Sequence, residues 1–170
     1  MIKTLILSVL LASFWTVVAP ASEPYLKGMS GTWSGSGWAR QHLGSPKEGV
    51  RCRVTVNYGS IGNKLMMNGR CAVPGQKFQL RGSLIERQEN GEITGRWSNP
   101  FGIGRANIKG RRTKDRIVVR LRADAPNGGI IDQTMVWRLS ANRIEMAVTS
   151  TKGNQPLSRL TFKRSSGSSN

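Results

Sequence analysis

The sequence predicts an all-β protein: a single antiparallel up-and-down β-barrel of about eight to ten strands, stapled by one disulfide. Three observations lead there. Apolar and polar residues alternate with period two along most of the chain, while helical periodicity is almost absent. Turn signals interrupt the alternation at close, regular intervals. The two cysteines, Cys52 and Cys71, fall opposite each other when the runs that carry them are paired antiparallel.

The alternating runs are 32–40, 50–58, 64–73, 76–86, 92–98, 104–111, 115–123, 130–139, 143–150 and 157–164. Turn-forming residues separate them, among them Gly44-Ser45-Pro46, Gly62-Asn63, Pro74-Gly75, Asn90-Gly91 and Gly153-Asn154. With Cys52 facing Cys71, Val54 meets Gly69, Val56 meets Met67 and Tyr58 meets Leu65, all apolar or small. The other face pairs Arg53 with Arg70 and Thr55 with Asn68, and the hairpin turns around Ile61-Gly62. Later runs sort the same way. Phe78, Leu80, Gly82 and Leu84 point inward against outward Lys77, Gln79 and Arg81, and Ile117, Val119 and Leu121 alternate with Arg116, Arg120 and Arg122. Trp97 and Trp137 share the inward phase.

Residues 1–21 read as a secretory signal: Lys3, an apolar stretch from Leu5 to Val18, and an Ala19-Pro20-Ala21 cleavage site before Ser22. The apolar stretch is shorter than the ~20 residues a spanning helix needs. The barrel domain is expected over 22–164, and the small polar residues 165–170 as a disordered tail. In an exported chain two cysteines are expected to bond, which adds roughly 3 kcal/mol on chain-entropy grounds. The chain carries 26 Lys and Arg against 9 Asp and Glu, a formal charge of +17. Such a surface attracts polyanions and anionic surfaces. Nucleic acid fits the charge, but export argues against it. Arg51, Arg53, Arg70, Arg81, Arg116, Arg120 and Arg122 are the candidate anion-binding residues, spread over many strands as a diffuse cationic shell.

The catalytic inventory is thin. Gly35-Ser36-Gly37 and Gly102-Ile103-Gly104 lack the third glycine and the strand-to-helix context of a nucleotide loop, and fit bends or bulges at a barrel corner. Most carboxylates, including Glu48, Glu86, Glu89, Glu92, Asp115 and Asp124, sit near turns and are expected to solvate them. Asp132 and Glu145 are expected outward, ion-paired beside Arg138 and Arg143. His42, the only histidine, has no evident partner, and neither a metal nor a cofactor is expected. Trp33 and Trp38 fall on opposite faces of one regular strand. Trp38 is expected outward, partly covered by the loop that follows.

Gly31-Thr32-Trp33 opens the first strand, and here the sequence resembles the calycins: lipocalins, avidins and small bacterial protease-inhibitor barrels. The resemblance rests on that G-x-W triplet, on the strand pattern, and on a cysteine pair near the start of the barrel. It implies that Gly31 and Trp33 are structural and that a basic side chain of the last strand, Arg159, Lys163 or Arg164, packs over Trp33. It also implies that the barrel mouth is the ligand site. The texture further resembles exported proteins of Gram-negative bacteria, implying a periplasmic or secreted home. The functional expectation is a non-enzymatic protein binding an anionic or amphipathic envelope component: a lipid, lipopolysaccharide or acidic glycan. Peripheral contact with a membrane surface is part of that expectation. The alternative is a protein-binding inhibitor of a secreted or host enzyme such as a protease. A lipid binder requires a wide apolar cavity. An inhibitor requires a filled barrel and a protruding loop or N-terminal segment.

Overall fold

A computed structural model describes residues 25–165. The expected signal segment 1–21 and residues 166–170 of the expected tail lie outside this range. Ser165 is held to the first strand, its N–H donating to the Thr32 carbonyl at 2.8 Å.

A single turn of helix, α1 (Tyr25–Gly28), precedes ten strands: β1 (Gly31–Ala39), β2 (Glu48–Gly59), β3 (Lys64–Val73), β4 (Gln76–Arg87), β5 (Glu92–Asn99), β6 (Gly104–Arg112), β7 (Arg116–Asp124), β8 (Ile130–Ser140), β9 (Arg143–Ser150) and β10 (Pro156–Arg164). Each strand pairs antiparallel with the next, and β10 pairs with β1, so the sheet closes into a barrel without free edges. The β2–β3 register matches the one read from the sequence, from Cys52 opposite Cys71 to Tyr58 opposite Leu65. A Cys52–Cys71 disulfide joins the two strands.

Alternation builds the core. Inward residues of all ten strands form one apolar cluster that includes Val54, Leu84, Ile117, Met135, Trp137 and Phe162. Trp97 and Trp137 pack at its centre with ring centroids 5.9 Å apart. The outer wall carries arginine or lysine on every strand from β2 to β10. This pattern is the reverse of a membrane-spanning barrel, whose outer band must be apolar.

The β1–β10 ladder runs without a register break from Trp33 to Ala39, so Gly35-Ser36-Gly37 is not a bulge. The glycines answer a different need. A Cβ on Gly35 would lie 2.2 Å from the Phe162 ring, and one on Gly37 would lie 2.0 Å from the Arg159 carbonyl oxygen. Close approach of β10 excludes any side chain there.

One end of the barrel is stoppered by α1 and the residue after it, with Leu26 and Met29 fully buried. Trp33 lies just inside, with its indole N–H donating to the Met29 carbonyl at 2.9 Å. The Arg164 guanidinium stacks over the indole at 4.3 Å. It also donates to the carbonyls of Ser30 and Gly28. Of the three basic residues expected over Trp33, Arg164 holds the position. Glu86 departs from expectation. It shares the inward phase of Leu80 and Leu84, is 97 % buried and accepts an ion-paired hydrogen bond from Arg112. It ties β4 to β6 and solvates no turn.

Candidate functional site: an arginine track on the outer wall

The barrel mouth is the first place to look, and it is small. Phe101 and Ile103, on the β5–β6 turn, fold inward and are buried. Phe101 stacks on Phe78 at 5.3 Å. Beneath them is a cavity of about 60 Å³, reached past Arg40, Gln41 and Gln133. A second void of about 30 Å³ lies deeper, beside Trp97 and Met146. Pockets for drug-sized ligands measure ~300–1,000 Å³. The interior is therefore filled, and the wide cavity expected of a lipid carrier is not there.

The outer wall is different. Residues that face one another along the ladders form rows across the strands. In one row stand Asn68, Arg81, Ser98 and Arg105. In the next stand Met66, Ser83, Arg96, Asn107 and Arg122. A third row, on the other side of the first, holds Ser34, Arg53, Arg70 and Gln79. Read strand by strand, β3 to β7 each supply one arginine: Arg70, Arg81, Arg96, Arg105 and Arg122. Each is the diagonal neighbour of the next, a spacing of ~7–8 Å between such positions. Arg53 extends the track onto β2, opposite Arg70. With strands ~4.8 Å apart, the six guanidinium positions cover about 24 Å of wall. Two open grooves follow this path. One, of about 920 Å³, is lined by Arg81, Arg96, Arg105 and Arg122 among others. The other, of about 440 Å³, is lined by Arg53, Arg70 and Arg81.

Most of the track has no ion-pair partner, although Asp124 lines the same groove beside Arg105 and Arg122. Among the described residues no carboxylate stands within ion-pair distance of Arg53, Arg70, Arg81, Arg96 or Arg105. Arg81 donates only to the neutral Gln79 amide, at 2.9 Å. Arg53 directly opposite Arg70 is a like-charge pair that costs stability. Asp132 marks the far end of the track, 3.8 Å from Arg122 and bound by the Arg120 Nε at 2.7 and 2.8 Å. The hydrogen bond from Arg120 holds the Asp132 carboxyl below the usual carboxylate range. The partner expected for it, Arg138, is not the one it takes. Glu145 does pair with Arg143, at 2.7 Å.

Of the arginines singled out in the sequence, Arg53, Arg70, Arg81 and Arg122 lie on the track, and Arg51 stands diagonally beside Arg70. Arg120 is occupied by Asp132. Arg116 lies apart, opposite Arg138 and 3.6 Å from Asp115. Basic residues outside the track remain spread round the barrel, among them Lys77, Lys109, Arg138 and Lys163. Arg96 and Arg105, central to the track, do not stand out in the sequence. Their alternation in 92–98 and 104–111 is legible there, but only the register between β4, β5 and β6 aligns them. Trp38 faces outward and is covered by Lys47 of the following loop, 4.4 Å over its ring. His42 is exposed, with Nδ1 2.9 Å from the Leu43 carbonyl.

No family model and no curated protein sequence matches the chain. Among solved structures, the barrel is similar to that of the S-type phycobiliprotein lyase CPES from Guillardia theta, with a TM-score of 0.57 at 10 % identity. The match covers 84 % of this chain and 92 % of the lyase chain. At that identity the likeness speaks for the barrel fold alone. It also corrects the expectation of a non-enzymatic protein. The same scaffold serves a lyase, so the lack of a recognisable catalytic motif is no ground for excluding catalysis, which resides in sites and not in folds.

Proposed function

We propose that the protein is an exported binding protein that takes an anionic or amphipathic envelope component on its outer wall. The observation that carries this reading is the arginine track: five successive strands each contribute one guanidinium to it, with serine and asparagine between them, and among the described residues no carboxylate is ion-paired to Arg53, Arg70, Arg81, Arg96 or Arg105. A barrel that places like charges opposite one another, as Arg53 and Arg70 are, gives up stability for which an anionic ligand compensates. Exposed Met66, in the same row as Arg96, adds an apolar contact at the groove's edge. The filled interior supports the outer wall over the mouth as the place of binding.

Replacing Arg96 and Arg105 together with Gln tests the proposal. Lipopolysaccharide binding, followed by titration calorimetry, is expected to weaken at least about tenfold, because a hydrogen bond to a charged group is worth ~1.5–3 kcal/mol. Affinity of the unaltered protein should fall steeply as salt rises and the Debye length shrinks from ~10 towards ~3 Å. Undiminished binding by the double variant would refute the assignment.

The filled barrel also meets the condition set for a protein-binding inhibitor. The 40–47 loop, with exposed Leu43, is the segment that would protrude into an enzyme. Inhibition of a secreted protease that is lost on deleting Leu43 but survives the arginine replacements would favour that reading.

A further inference from the structure

From the shape of the track we infer the class of ligand: a linear acidic glycan that lies along the wall and wraps it, rather than a flat bilayer or a compact headgroup. This rests on the reading that the track binds an anion, and it adds the ligand's form. The track crosses β2 to β7, five of the ten strand-to-strand steps of a closed barrel, and so passes round about half of its circumference. A plane touching a cylinder meets only the strands that face it. A flexible chain follows the curve and reaches every arginine.

The chemistry between the arginines supports a sugar chain. Asn68, Ser83, Ser98 and Asn107 alternate with the guanidiniums and offer both donors and acceptors to hydroxyl groups. A single-stranded nucleic acid would need aromatic side chains on which bases stack. None lies on the track. Trp97 is turned into the core, Phe78 is stacked beneath Phe101, and Trp38 is on β1 under Lys47. Cations repeated along one path match a polymer that bears acids at intervals along its length, each contact raising the effective concentration of the next.

The test is a length series. Oligogalacturonates of increasing length are titrated into the protein, with single-stranded DNA and phosphatidylglycerol vesicles as comparators. Affinity is expected to climb roughly a hundredfold from the shortest chain to one that spans ~24 Å, and then to level off. Replacing Arg53 and Arg70 with Gln should move the plateau to a shorter chain while leaving the shortest oligomers unaffected. Arg116→Gln, off the track, should change nothing, and thermal melting checks that each variant is folded. An affinity independent of chain length overturns the inference. So does tighter binding of DNA or vesicles than of the spanning oligomer. If lipopolysaccharide still binds in an Arg96- and Arg105-dependent way in either case, the anion-binding reading stands and only the linear-chain inference falls.

Discussion

Trp33 and Trp38 share one strand and have opposite fates. Trp33 is 99 % buried, and joined to Met29, which follows α1, and to β10 through Arg164. Trp38 is half-buried on the outer face, with Lys47 of the adjoining loop over its ring. Truncating Trp33 to Ala should cost about 3–5 kcal/mol, the range for a buried aromatic. Trp38→Ala should cost clearly less, because the side chain is only half-buried and its cation–π contact is worth about 0.5–1 kcal/mol. Urea melts of the two variants check the order, and a larger loss at Trp38 would contradict the strand phase. The side assignment of these residues was legible because alternation needs nothing but the chain itself. Glu86 shows how composition can mislead. A glutamate near a turn reads as solvated, and only its phase with Leu80 and Leu84 signalled that it faces inward, where Arg112 neutralises it.

At the scale of elements, the ten strands and their order follow from period-two runs divided by glycine, proline and asparagine turns. Two elements escaped that reasoning. The stopper α1 is a single turn, too short to display a helical period, although Leu26 and Met29 stand three apart just before the G-x-W triplet. The inward fold of Phe101 and Ile103 belongs to a turn, where side-chain direction is set by the neighbours that cover it and not by alternation. The β2–β3 hairpin was fully legible, since one register satisfies both the cysteines and the apolar face. Its disulfide closes a separation of 19 residues. Cys71→Ala should therefore lower stability by roughly 3 kcal/mol, the loop-closure contribution, while far-ultraviolet circular dichroism retains the barrel signature. Loss of that signature at ambient temperature would show that the bond is needed to form the barrel and not only to stabilise it.

For the whole molecule, the governing contrast is between a filled interior and a charged wall. The calycin resemblance pointed to the mouth, but the turn between β5 and β6 closes it down to about 60 Å³. The surplus of positive charge was evident from composition. Its arrangement was not, because a diagonal line of arginines exists only once six strands are in register. Stability and binding pull against each other along that line, as they do wherever like charges are held together for a ligand. The direct test is nuclear magnetic resonance of the arginine side-chain Nε–H groups while an oligogalacturonate long enough to span the track is added. Resonances of Arg70, Arg81, Arg96, Arg105 and Arg122 are expected to shift together and to saturate at one concentration, with Arg116 and Arg143 unmoved. Shifts confined to methyl groups around the mouth, such as those of Leu157 and Val148, with the track arginines silent, would contradict the account.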